Sequence, residues 1–117
     1  MTYARFRKRL AQALEPQFHP IEYLDGLLER GEAIAFANDD AILICELLNY
    51  PGGARVINVL IAAGKKADII GSLREQAEEW ARGVGCTHAL VESRAGWAKA
   101  LKQFGYEPYQ VTVRKEL

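Results

Sequence analysis

The chain has 117 residues, half of them apolar and 26% charged, with 15 basic side chains balanced by 15 acidic ones. That profile fits one folded domain, residues 1–117, and excludes a disordered chain or one whose net charge would hold a polyanion. No apolar run approaches the roughly 20 residues that cross a bilayer, and the N-terminus lacks the uninterrupted apolar core of a secretory signal, so a cytoplasmic location without membrane contact is expected.

Residues 2–14 read as an amphipathic helix carrying Tyr3, Phe6, Leu10 and Leu14. Its "RFRKR" stretch, with Arg5, Arg7, Lys8 and Arg9, reads as a solvated face; a nucleic-acid contact is the competing reading, resting on four charges alone. "EPQFHP" breaks this helix, and "IEYLDGLLERG" supplies a second whose stripe of Ile21, Leu24, Leu27 and Leu28 closes at Gly31. Residues 1–31 therefore form a helical part, and 33–117 hold the sheet.

Three strands are expected next: "AIAFAN", "AILICELL" after a turn at Asp39 and Asp40, and "ARVINVLIAA" after "NYPGG". Val56, Ile57, Val59, Leu60 and Ile61 scarcely alternate with polar residues, which places the third strand in the sheet interior, covered on both faces. Asp68 is an N-cap candidate for a helix with Ile70, Leu73, Ala77 and Trp80 on its apolar face, ending near Gly83. "THALVE" follows as a strand. A strand, helix, strand succession of this length predicts that residues 54–63 and 87–92 run parallel through a right-handed crossover. Ser93 can cap a shorter helix bearing Trp97, Leu101 and Phe104 and ended by Gly105. Finally "YEPYQVTVRK" alternates Tyr109, Val111 and Val113 with Gln110, Thr112 and Arg114, as a last strand would. An exposed Trp97 or an unpaired outer strand would offer a dimer surface.

Cys45 and Cys86 each sit beside an apolar run and read as small core residues with free thiols, since two cysteines make no disulfide framework. His19 and His88 belong to no paired ligand spacing, so no metal is expected.

The order helix, helix, three strands, helix, strand, helix, strand, and above all the closing stretch "GWAKALKQFGYEPYQVTVRKEL", resembles the Gcn5-related N-acetyltransferases, or GNAT family, over residues 33–117. "EEWARGVGCTHALVESRAGWAKALKQFGY" is similar to the short acetyltransferase-like proteins encoded by tailed phages. The resemblance implies an α/β fold with a mixed, mostly antiparallel sheet around a parallel strand pair. It implies acetyl-CoA as cofactor and a small-molecule or protein amine as acceptor. A phage origin implies the host cytoplasm or the virion, and a binding protein with a phage partner as the alternative to an enzyme.

Family members hold the cofactor pyrophosphate on backbone amides in a glycine-containing turn after the central strand. The corresponding residues are Gly64, Lys65, Lys66, Ala67 and Asp68, followed by Gly71, and they do not reproduce the family spacing. The turn can attract an anion through Lys65 and Lys66, or serve only as a turn capped by Asp68. Gly71, costly in a first helical turn, suggests close contact with a ligand or a neighbouring strand. Where many members carry a tyrosine acid, four residues before Gly105, this chain has Leu101; where many carry a cofactor-contacting Asn, it has Arg94, whose guanidinium suits phosphate. A proton donor would then be Tyr106 or Tyr109, unless the thiolate leaves without assistance. Glu46, inside "LICELL", is the carboxylate placed for a general base, its pKa raised if buried, unless it lies on a solvated face. Asn58 reads as a structural hydrogen-bonding group. His88 and Glu92 share one face of the fourth strand, either bordering the cleft or facing solvent.

Overall fold

The computed structural model describes residues 2–92 and 95–117; the Ser93 cap and the Arg94 phosphate contact fall on residues outside these. Two helices open the chain. In α1 (Thr2–Ala13), Phe6 and Leu10 are buried, and in α2 (Ile21–Glu29), Leu24 and Leu27. The wrapping of α2 into its exit turn ends on Gly31 at φ 71°, a conformation glycine adopts without a side-chain clash.

Four strands form one sheet in the order β1 (Ile34–Ala37), β2 (Ala41–Asn49), β3 (Arg55–Gly64) and β4 (His88–Val91). The first three make an antiparallel meander, and β3 and β4 run parallel, as expected of a GNAT-like α/β fold. The Asn38 side chain fixes the first turn by accepting hydrogen bonds from the Asp40 and Ala41 amides, both at 2.9 Å. One face packs under α1 and α2 through Ile42, Ile44 and Ala33; the other packs Leu43, Cys45 and Ile57 against the crossover helix. Between Ile44 and Cys45 the ladder slips, pairing them with Ile61 and Val59, so Leu60 is an extra residue on β3. This bulge turns Leu60 and Ile61 together toward the α1 and α2 face.

Helix α3 is continuous but not uniform: an α-helical turn (Lys66–Asp68), a π-helical segment (Ile69–Leu73) and an α-helical segment (Arg74–Gly83). Its core row is Ile69, Leu73, Ala77 and Ala81, a strict spacing of four, whereas the expected row of Ile70, Leu73, Ala77 and Trp80 places its two ends half-buried. A four-residue repeat drifts by about 40° per step on a regular α-helix. The wider π-helical turn absorbs part of that drift and keeps both Ile69 and Leu73 on the sheet. Nor does Asp68 cap the helix: the cap position is Lys65, and no side chain bonds there.

Helix α4 (Ala95–Leu101) runs into a 3₁₀ turn (Lys102–Phe104) that ends at Gly105, φ 90°. The last strand does not form. Residues 106–117 belong to no helix or strand and pair with no described strand, and Tyr109, Val111 and Val113 lie open to solvent. Alternation supplies a strand's side-chain pattern but not its hydrogen-bonding partner, and this tail is instead held at its two ends. Tyr106 Oη donates to Glu78 on α3, and Arg114 reaches Glu15 beyond α1 at 3.0 Å while stacking over Phe18.

Both cysteines are free; Cys45 is buried and Cys86 half-buried. Burial pushes the Cys45 thiol up from 9.0 to about 12. Above pH 9 the unfolded chain loses this proton while the folded chain keeps it, so stability falls as pH rises. Between pH 9 and 10 the slope due to Cys45 approaches about 1.4 kcal/mol per pH unit. Denaturant melts across that window should show Cys45→Ala, though less stable overall, with a visibly flatter decline than the parent; equal slopes would contradict the assignment. Among the described residues no helix is long and apolar enough to cross a membrane, and no three metal-ligating side chains gather.

Candidate active-site cleft

Strands β3 and β4 stay in register from Val56 opposite His88 to Val59 opposite Val91. There β4 ends while β3 continues to Gly64, so β3 has no strand neighbour on that side beyond Val59 among the described residues, a gap termed the wedge. A cavity of about 120 Å³ occupies it, with walls from β3 (Val59, Leu60), the first turns of α3 (Ile70, Arg74), Val91 and Trp97. The exposed β3 backbone past Val59 has lost its β4 partner, leaving main-chain polar groups turned toward the wedge.

One polar cluster lies in this otherwise apolar space. Arg74 Nη1 and Tyr106 Oη both donate to Glu78 Oε2 at 2.8 Å, and Arg74 Nε donates to the Ile70 carbonyl at 2.7 Å, beside the π-helical segment. Phe104 stacks on the Arg74 guanidinium, 3.8 Å from ring centre to carbon. Burial first, and then the hydrogen bond to the Glu78 carboxylate, drive the Tyr106 pKa above its ordinary value. Tyr106 therefore keeps its proton throughout the neutral range.

Of the cofactor-turn candidates, Lys66 reaches the wedge residue Trp97, whereas Gly64 and Lys65 line a separate cavity beside Arg5 and Arg9 of α1. Gly64 has φ 105°, and a Cβ there would strike the Asp40 carbonyl oxygen and the Ala41 backbone, so this glycine is required by the neighbouring turn. The Lys65 amide is taken by the Asp40 carbonyl at 2.9 Å. The Lys66 and Ala67 amides open the helix with no intrahelical acceptor behind them, and the Asp68 carboxylate does not bond to them. Lys65 and Lys66 are exposed, the Lys66 ammonium lying 5.4 Å from the Trp97 ring centre. A Cβ on Gly71 would meet nothing within 4 Å, so the expected contact with a neighbouring strand is absent and the space beside it is open.

Glu46 is elsewhere. It is half-buried on the α1 and α2 face of the sheet, where its Oε1 accepts from Asn58 Nδ2 at 3.2 Å. Asn58 is buried at 3% exposure, and its Oδ1 has no partner among the described residues. Leu101 is buried and lines the wedge, where it offers no proton. Tyr109 is exposed and borders a second cavity on the outer side of β4. His88 joins Tyr109 there while Glu92 lines the wedge, so those two are not brought together.

Trp97 is half-buried against the wedge and not an exposed dimer contact. Two charges of the "RFRKR" stretch are compensated internally: Arg7 grips the Asp25 carboxylate through Nε and Nη2, and Arg5 reaches Asp39. The Tyr3 hydroxyl also donates to Asp25. Sequence reading did not find Arg74 or Glu78; their spacing of four marks an ion pair on one helix, but nothing local marks Tyr106 as its third member.

The chain matches no protein-family profile and no curated protein sequence. Its fold does match solved acetyltransferases. A ribosomal-protein-alanine N-acetyltransferase of Brucella melitensis superposes with a TM-score of 0.70 at 17% identity, covering 98% of this chain and 91% of the other. A predicted acetyltransferase of Clostridium acetobutylicum with acetyl-CoA gives 0.68 at 10% identity, covering 96% and 86%. An aminoglycoside 6'-N-acetyltransferase of Acinetobacter haemolyticus gives 0.66 at 18% identity, covering 98% and 89%.

Proposed function

We propose that this GNAT-like chain binds acetyl-CoA in the wedge between β3 and β4 and passes its acetyl group to a primary amine of a small molecule or protein. The observation that carries the reading is that β4 ends at Val91 while β3 runs on beyond Val59, with a mainly apolar slot there whose Trp97 wall lies beside Lys66 at the uncapped helix N-terminus. The residues present suit such a ligand: the Val59, Val91 and Trp97 side chains match a pantetheine arm, and Lys65, Lys66 and the first α3 amides match phosphate. Arg94 would add a guanidinium for phosphate.

The thioester supplies an activated acetyl carbonyl. The proton that the amine loses as its nitrogen bonds to the carbonyl carbon would pass to water, since Glu46, held by Asn58 on the opposite face of the sheet, is not placed to take it. Tyr106 gives its proton to the sulfur as the carbon–sulfur bond breaks, turning from Glu78 to do so. Because its pKa is raised, this donor persists beyond the ordinary tyrosine value near 10, so loss of Tyr106 protonation imposes no alkaline fall in rate below that pH.

Release of free thiol from acetyl-CoA in the presence of polyamine, aminoglycoside and peptide amines tests the proposal. Tyr106→Phe should lower kcat by about 100-fold or more if it transfers a proton, whereas Glu46→Gln, on the opposite sheet face, should leave kcat within a few-fold. A change of only a few-fold in Tyr106→Phe would remove it from that role, and a 100-fold loss in Glu46→Gln would place the amine on the α1 and α2 face. Leu101, standing where the family acid is expected, favours one other reading, a phage protein that keeps the ligand and not the reaction. Ligand binding without thiol release from any amine would select it.

A further inference from the structure

Glu78 is the meeting point of the polar cluster beside the wedge. Its Oε2 accepts from Arg74 Nη1 and Tyr106 Oη at once, each at 2.8 Å, and the Arg74 and Glu78 side chains are only 15 and 17% exposed. Its other oxygen lies 3.5 Å from Arg82, whose guanidinium is 72% exposed and adds little. Arg74 is fixed from two further directions: Nε donates to the Ile70 carbonyl at 2.7 Å, and the Phe104 ring centre lies 3.8 Å away. Arg74 therefore holds Glu78 whether or not Tyr106 is bonded to it.

Tyr106 has less support. Its amide reaches the Leu101 carbonyl at 3.4 Å, which ties its backbone to the end of α4, and the chain beyond it belongs to no helix or strand. Its ring stands at a boundary, because Tyr106 and Glu78 line both the wedge and the cavity of about 650 Å³ beside β4. A freed ring can turn to either side, so the bond to Glu78 is what keeps the hydroxyl beside the wedge. That bond must also break if the hydroxyl is to reach a sulfur. A buried carboxylate stripped of one donor is costly unless another remains, and Arg74 is that other donor.

We infer that Arg74 and Glu78 are positioning residues for Tyr106: Glu78 docks the phenol at the wedge, and Arg74 lets it leave by keeping the carboxylate paired. The inference rests on the proposed role of Tyr106 as proton donor. Removing the two residues harms that role in opposite ways. Without Arg74 the carboxylate grips the phenol; without Glu78 the ring loses its dock and turns from the wedge.

Double-mutant cycles test it, with kcat and KM measured for Arg74→Met, Arg74→Lys and Glu78→Gln, each alone and combined with Tyr106→Phe. The substrates are acetyl-CoA and whichever of the polyamine, aminoglycoside and peptide amines releases most thiol. Arg74→Met and Glu78→Gln should each lower kcat at least about tenfold, with KM for acetyl-CoA within about threefold of the parent. Once Tyr106→Phe is present, each should change kcat by less than about twofold, because nothing is left to position. Arg74→Lys keeps a donor four residues from Glu78 but not the planar stack on Phe104, and it should return kcat to within about threefold of the parent. Equal losses with and without the phenol, or no rescue by lysine, would mark a structural role and overturn the inference. So would an unchanged kcat in either Arg74→Met or Glu78→Gln, or a loss seen in KM alone. Should Arg74→Met fail to fold, the isosteric Glu78→Gln cycle decides in its place. If the parent transfers no acetyl group, or Tyr106→Phe alone changes kcat only a few-fold, the donor role of Tyr106 falls and this inference with it, a failure those two arms identify by themselves.

Discussion

Acetyl-CoA at about 100 times its dissociation constant is expected to stabilise the folded chain by roughly 2.7 kcal/mol, because ligand that binds only the native state shifts unfolding by mass action. For a domain of this length that corresponds to a rise in Tm of about 10 °C. Gly71→Val sharpens the expectation. The substituted Cβ meets no atom of the chain, and valine replaces a poor helix former, so the unliganded variant should melt at or slightly above the parent temperature. With the open side of the π-helical segment filled, the ligand-induced rise should vanish. A full rise in Gly71→Val would move the ligand away from α3, and no rise in the parent at millimolar acetyl-CoA would remove the ligand from the account.

Gly64→Ala should do the opposite. Its φ of 105° disfavours any side chain, and the new methyl group would press on the Asp40 carbonyl and the Ala41 backbone, neither of which can swing aside as a flexible side chain would. Left-handed strain of about 1–2 kcal/mol and overpacking of about 1–3 kcal/mol together predict a loss of roughly 2–5 kcal/mol. Thermal melts without ligand read this directly. A drop in Tm of only a degree or two would mean that the turn relaxes, and that Gly64 serves the ligand more than the fold. The two glycines are therefore separable: Gly64, at the end of β3, is held by the chain's own backbone, and Gly71, in the π-helical segment, faces open space.

Why the sheet was readable and its last strand was not follows from what each pattern encodes. The near-continuous apolar run in β3 reports burial on both faces, and burial requires neighbours, so an interior position follows from the residues. The alternation at 109–113 reports only that one face would be apolar if a partner existed, and the protomer supplies none. In α3 the choice between Ile69 and Ile70 as core residue depended on helical pitch, which the π-helical segment changes and a 3.6-residue period cannot anticipate. The glycines Gly64 and Gly71 were visible, but not which of them the turn at Asp40 demands, since that neighbour lies on another hairpin. Arg74, Glu78 and Tyr106 meet because α4 and Gly105 return the chain to α3, a contact across 28 residues that no local spacing records. Glu46 was noticed as a carboxylate in an apolar run, and its pairing with Asn58 follows from the β2–β3 register.

The most direct test of the central claim is an amide-resolved NMR titration of the isotope-labelled chain with acetyl-CoA. The account predicts that the perturbed amides cluster around the wedge, at Leu60–Lys66, Ile70, Gly71 and Val91, with saturation at a single site. Perturbations gathered on α1 near Arg5 and Arg9, or none at ligand concentrations in the millimolar range, would contradict it.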